Sequence, residues 1–371
     1  MRKSHSIGWA SGLLAGCLSF GGAWAAPGGE GARAVEALDA AREAARWRLA
    51  GDRLLSAGEP AKAEAAWSRA LAARPDDVEL LDRAARARGA IGDWAGALAA
   101  QRSLVAALAG EAAARPDAKR VDLATGFEQT LADNHRRQLG VLSEVAVLAG
   151  DFTTAEEAAR ALIRVAPKAV DGHLALGYLH LHAREFDAAA AAYAAALALD
   201  PSSPTALNNL GAARYMQQDL DAAAAHYEAV LASLARGAYS ESVALANLGE
   251  LHQLGARYDE AEYLYRQAVE ALPAGAWSYM GLAALLDVTG RYDEAIDAMI
   301  DGWERDDSRE TRLNMHFFEP AWAWQRDALI AEIEGDVEGG IRLWRKVAHS
   351  GVPALRAAAA HHLVSLEAMG D

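Results

Sequence analysis

A 34-residue period constrains this chain more than any other feature. Small residues stand at Ala155, Ala189 and Ala223 at intervals of 34, then at Ala261 and Ala295, again 34 apart, after one interval of 38. Two further residue classes keep the same intervals: Phe152, Phe186, Leu220, Tyr258 and Tyr292, and Leu142, Leu176, Leu210, Leu248 and Leu282. Pro167 and Pro201 follow at the repeat ends. Such a period means a stack of supersecondary units, each burying its apolar face against its neighbours. The 371 residues are 52% apolar and 23% charged, enough to build a sizeable core and too apolar for a disordered chain.

Each unit derives as two antiparallel helices. In the unit starting near residue 170, His173, Leu176, Gly177 and His180 mark one helical face by three- and four-residue spacing, and Arg184-Glu185-Phe186 marks the break. A second helix carries Ala189, Tyr193 and Ala196 on one face and ends at Asp200-Pro201, because proline cannot continue a helix interior. Gly177 and Ala189 are small so that the paired helices approach closely; Leu176 and Tyr193 are large to fill the space between pairs. Elsewhere the break is a glycine suited to a left-handed backbone, as in Gly92-Asp93-Trp94, Gly150-Asp151-Phe152 and Gly290-Arg291-Tyr292.

At these residues the sequence resembles the tetratricopeptide repeat (TPR) family, over most of 44–353. Trp47, Gly51, Leu54, Ala63, Trp67, Ala70 and Pro75 follow the family pattern, as do the units at 170–203, 204–237 and 242–275. The unit at 78–111 departs from it, with Gln101 where an aromatic is usual and Leu104 where alanine is usual. The unit at 321–353 is degenerate but keeps Gly335, Gly340 and Trp344. The resemblance implies an all-α, right-handed superhelical solenoid of about seven to eight antiparallel helix pairs with a C-terminal cap helix. The expected organisation is a leader at 1–25 (or 1–16), a helix or linker at 26–43, an N-terminal repeat block at 44–111, an insert at 112–135, the main array at 136–353 and the cap at 354–371. The insert, with Arg115-Pro116-Asp117, reads as an extended helix or a kinked linker.

The first residues read as an export signal. Arg2 and Lys3 form its positive end, Ile7 to Phe20 is mostly apolar without charge, and Ala23-Trp24-Ala25 is a small-x-small cleavage pattern. Overlapping it, Leu14-Ala15-Gly16-Cys17 resembles the lipobox of bacterial lipoproteins, which would make Cys17, the only cysteine, a lipidation site and membrane tether. Both readings place the chain in the periplasm or at the outer membrane.

Chemistry of other kinds finds no sequence support. There is no phosphate-binding glycine loop, paired cysteine, H-E-x-x-H or nucleophile elbow. The expectation is no enzyme, no catalytic residue, no cofactor and no metal, with His173 and His180 packing against the partner helix and His182 facing the groove. His361 and His362 are adjacent on a helix and point about 100° apart, so they do not converge on one ion. A net charge of −15 disfavours nucleic acid, whose binding needs basic patches. Trp322 and Trp324, beside Phe317 and Phe318, either close the core between the last repeats or form a docking patch.

What remains is binding of a protein or peptide. By the family resemblance the first helix of each pair lines the concave face, which places there Tyr178, His182, Asn208, Asn209, Tyr215, Met216, Asn247, Glu250, Gln253 and Trp277. Asn209 and Asn247 share a repeat position, and the resemblance implies an amide ladder that bonds the backbone of an extended peptide. The expected function is a non-enzymatic scaffold or chaperone in an envelope assembly such as secretion, pilus, polysaccharide export or cytochrome maturation. The competing reading is a structural outer-membrane lipoprotein acting through its convex face or by self-association.

Overall fold

A computed structural model describes residues 29–115, 119–121, 128–306 and 320–370. The leader, Cys17, Phe317 and Phe318 lie outside the described residues. Eight helix pairs follow in order: α1 (Gly29–Ser56) with α2 (Pro60–Ala73), α3 (Val78–Ala90) with α4 (Trp94–Ala114), α5 (Leu131–Leu148) with α6 (Phe152–Val165), α7 (Asp171–His182) with α8 (Phe186–Leu199), α9 (Pro204–Met216) with α10 (Leu220–Ala232), α11 (Ala238–Leu254) with α12 (Tyr258–Ala271), α13 (Ala276–Val288) with α14 (Tyr292–Arg305), and α15 (Pro320–Glu334) with α16 (Val337–His349). A 3₁₀ turn (Pro353–Leu355) leads into the terminal α17 (Arg356–Gly370). Each pair packs on the next, which makes an all-α solenoid.

One turn geometry repeats through the stack. The residue that breaks each pair has a left-handed backbone: Gly58, Gly92, Gly150, Gly290 and Gly335 with φ from 74° to 81°, and Arg184, Gln218 and Ala256 with φ of 62°, 65° and 55°. Three non-glycine residues thus occupy a region that crowds their Cβ. Where aspartate follows, its side chain caps the second helix: Asp93, Asp151, Asp219 and Asp336 each accept from the backbone N–H three residues on, at 2.9–3.3 Å. Glu185, Arg257 and Arg291 stand at this place without a side-chain cap.

Nine residues beyond the turn lies the filler of each unit: Trp67, Gln101, Ala159, Tyr193, Tyr227, Tyr265, Met299 and Trp344, all buried. The rings of Trp67, Tyr193, Tyr227 and Tyr265 lie against a glycine of the first helix. A Cβ on Gly211 would stand 2.5 Å from Cε1 of Tyr227, and Gly51 and Gly177 are pressed in the same way against Trp67 and Tyr193. Gln101, which replaces the aromatic, builds a polar core instead. It donates to Oε1 of Gln138 at 2.7 Å and to the Gln138 carbonyl at 3.1 Å, and Gln138 reaches Asp82 at 3.4 Å.

Between α4 and α5 the chain forms two short antiparallel strands, β1 (Lys119–Val121) and β2 (Glu128–Thr130), with Lys119 opposite Thr130. The sequence suggested an extended helix or a kinked linker. Instead α4 stops at Ala114 before Pro116, and Thr130 restarts the helix by capping Asp133 N–H at 3.0 Å. The insertion does not part the array, because α4 packs directly on α5 and shares a core in which Leu98 and Val105 meet Leu139 and Leu142.

Candidate functional site

The first helices of the central pairs present one face to a common cavity of about 640 Å³. On α9 that face is Thr205, Asn208, Asn209, Ala212 and Tyr215; on α11 the corresponding residues are Val243, Ala246, Asn247, Glu250 and Gln253. Steps of three and four residues keep them on one side of the helix. On α13 the series continues as Trp277, Met280, Gly281 and Ala284.

Of the residues expected in the groove, Tyr178, Asn208, Asn209, Tyr215, Asn247, Glu250, Gln253 and Trp277 line this cavity. His182 and Met216 do not. The His182 ring packs on Tyr178 with centroids 4.4 Å apart, and Met216 is buried in the core with Ala213 and Ala223. Both sit one residue beyond the floor position, rotated about 100° from it; their counterpart Leu254 does reach the cavity.

The floor also contains residues that fill the core of their own units. Tyr193, Tyr227 and Tyr265, the fillers of three successive units, underlie the groove while staying almost wholly buried. Tyr265 donates to Oε1 of Gln253 at 3.2 Å, and Tyr215 donates to Oε1 of Glu250. The residue corresponding to Gln253 and Tyr215 in the preceding unit is Leu181, which cannot accept, and the Tyr193 hydroxyl is buried without a partner. Asn208 donates to the Ser240 carbonyl at 3.0 Å, while its own Oδ1 is buried and unpartnered. Burial pushes the Glu250 carboxyl up to about 7, with the Tyr215 hydrogen bond opposing. Burial, and then Glu250, hold the hydroxyls of Tyr215, Tyr227 and Tyr265 well above the usual phenol range.

The far wall is aromatic and basic. Trp277 meets Tyr239 edge-on with centroids 5.0 Å apart, and its indole N–H is buried without a partner. Trp322 is both a wall residue and part of the core formed by the last repeats; Trp324 is half-buried, with Lys346 Nζ 5.9 Å from its ring.

Beyond this wall the inner helix face is closed. Asp287 on α13, in the same register as Gln253, has no exposed surface. It accepts from Gln325 of α15 at 2.5 Å and from Nε2 of His362 of α17 at 2.8 Å. The other ring nitrogen of His362 lies 2.9 Å from Glu332, and the ring stacks on Trp344 at 4.4 Å. Burial alone would lower the His362 pKa, but the hydrogen bonds its ring donates to Asp287 and Glu332 outweigh it and raise it to about 9. His361, its neighbour, points elsewhere and stacks on Tyr292.

Paired helices stacked around an amide- and tyrosine-lined groove define a helical-repeat interaction protein. The chain belongs to the tetratricopeptide repeat family: three models of that repeat match residues 142–204, 202–274 and 255–313. No curated protein matches the chain. Similar solved structures include Pseudomonas aeruginosa PilF (17% identity, 64% of this chain and 99% of that one, TM-score 0.43). Another is a tetratricopeptide repeat protein from Parabacteroides merdae (15%, 78% and 98%, TM-score 0.43). A third is PilW, described as a widely conserved type IV pilus biogenesis factor (16%, 60% and 97%, TM-score 0.41). Among the described residues no helix is long and apolar enough to cross a membrane.

Proposed function

We propose that this protein holds an extended segment of a partner protein in the groove of α7 to α13, as an exported, non-enzymatic scaffold or chaperone of a bacterial envelope assembly. One observation carries the reading. Asn209 and Asn247 occupy the same place on successive first helices, both line the cavity, and neither amide has a hydrogen-bond partner among the described residues. A side-chain amide offers one donor and one acceptor, which matches a peptide unit of any sequence. Export is supported by Arg2 and Lys3 ahead of the apolar run and by Ala23-Trp24-Ala25.

The test is in-cell crosslinking of a tagged copy, identification of the captured protein, and calorimetric titration with the segment that crosslinks. Asn209→Ala with Asn247→Ala is expected to weaken that binding by about 1–3 kcal/mol, the scale of two net hydrogen bonds, with the melting curve unchanged. Unaltered affinity in the double variant would remove the groove as the site.

A further inference from the structure

Glu250 stands where α9 has Ala212 and α13 has Ala284, so it is the one acid at this register among these three groove helices. Oε1 accepts from Tyr215, and the second carboxyl oxygen has no partner among the described residues. Leaving a partly buried carboxylate without a counter-charge is costly unless something else supplies one. The groups facing it are all phenols: Tyr215 from α9, Tyr227 from α10 and Tyr265 from α12. α13 brings Trp277, Met280, Gly281 and Ala284 to the cavity and no charged group, with Gly281 giving room to the Tyr265 ring.

Two more observations concern what is missing from this floor. Among the described residues, the Oδ1 of Asn208, a residue 5% exposed, and the hydroxyl of the fully buried Tyr193 have no hydrogen-bond partner. Both line the same cavity as Glu250. This half of the groove therefore presents a free amide acceptor at Asn208 and the Glu250 carboxyl among aromatic rings, which a donor group of the occupant can satisfy. The guanidiniums at the other end do not meet that need. Arg305 donates to Asp301 at 2.7 Å and to the Pro273 carbonyl at 3.0 Å, and Arg326 donates to Asp327 at 2.9 and 3.0 Å. They belong to α14 and α15; α15 lies two first helices beyond α11, roughly 16–20 Å at ordinary helix spacing.

We infer that the groove has a specific subsite for a lysine or arginine side chain of its partner, with the cationic head against the Glu250 carboxylate and flanked by the rings of Tyr215, Tyr227 and Tyr265. Ammonium has three donors and guanidinium five, and both are attracted to aromatic faces. The chain's net charge of −15 favours the approach of a basic segment. The inference rests on the groove being the binding site. It adds that recognition is not by backbone alone.

The experiment uses blocked nine-residue Gly/Ser peptides that differ only at the central residue: lysine, arginine, norleucine or ε-acetyl-lysine. They are titrated at up to millimolar concentration into the intact protein by calorimetry and tryptophan fluorescence. Lysine and arginine peptides are expected to bind about tenfold tighter than the two neutral ones, the scale of one desolvated cation–carboxylate and cation–ring contact. In Glu250→Gln that advantage falls below about threefold, while the neutral peptides keep their affinity. A second measurement needs no variant. In the wild-type protein the preference grows from pH 5.5 to pH 8, because burial keeps the empty carboxyl protonated up to about 7, and lysine binding near pH 7 releases a proton. Equal binding of all four peptides would overturn the cation subsite and leave the groove standing. Binding of none would overturn both.

Discussion

Glu250 and Asp287 are acids on the inner face of neighbouring first helices, one turn apart in register, and the fold treats them in opposite ways. Asp287 receives Gln325 and the charged ring of His362, itself paired with Glu332, and has no contact with solvent. Glu250 receives one hydroxyl and otherwise faces an open cavity. Where α17 must be fastened to the array, buried charge is compensated within the chain. Where the groove is open, the compensation is incomplete, and the deficit sits beside two other unpartnered polar groups.

The comparison is broken most severely at the fastened end. His362→Ala leaves Asp287 and Glu332 facing each other without their counter-charge, and is expected to cost about 3–5 kcal/mol of C-terminal stability in urea denaturation. The same ring sets a pH dependence. A histidine raised from 6.5 to about 9 contributes stability that is complete below pH 6.5 and lost as pH climbs through 9. Urea midpoints should therefore fall between pH 6.5 and 9.5, by about 3 kcal/mol at most, and this slope should vanish in His362→Ala.

Glu250 has the same direction with pH, but its substitution has the opposite sign. Its carboxyl is raised from 4.5 to about 7 by burial, so the stability tied to its neutral form is complete below pH 4.5 and lost as pH rises through 7. Glu250→Gln should stabilise the protein at pH 8 by about 1–3 kcal/mol and leave it unchanged at pH 4. Destabilisation at pH 8 would show that the two acids do the same structural work. The smallest effect tests neither acid but the turns that carry them. Ala256→Gly, at φ 55° just after α11, should raise the melting point, by about 1 kcal/mol as glycine relieves the crowded Cβ.

Much of this was legible in the sequence because the repeat samples each position several times. The series Ala155 to Ala295 fixed the second helices, and Gly177 with Ala189 marked where paired helices approach closely. What occurs once was not legible. The pairing of His362 with Asp287 joins residues 75 apart in the chain, and its only trace was an aspartate in a series that otherwise runs Leu181, Tyr215, Gln253. The strands Lys119–Val121 and Glu128–Thr130 lie outside the period and had no template. Left-handed turns were expected at glycine, but Arg184, Gln218 and Ala256 adopt them because flanking helices impose the geometry. In the groove, first-helix spacing placed Asn209, Asn247 and Glu250 on the cavity. It did not place Tyr193, Tyr227 and Tyr265 there, since a residue that fills a core gives no sign that one edge is also a floor.

The fastening of α17 to α13 gives this stack a direction of unravelling. In a linear array only neighbours hold one another, and the outermost member normally peels first. Here the last helix is tied past its neighbour to a helix two pairs back, so α13 to α17 come apart as a block or not at all. Among the described residues the N-terminal end has no such tie, and α1 leaves Leu38, Leu49 and Leu55 about half uncovered. A protease that cuts transiently opened chains will therefore trim this protein from α1 inward, and the groove will outlast the helices in front of it.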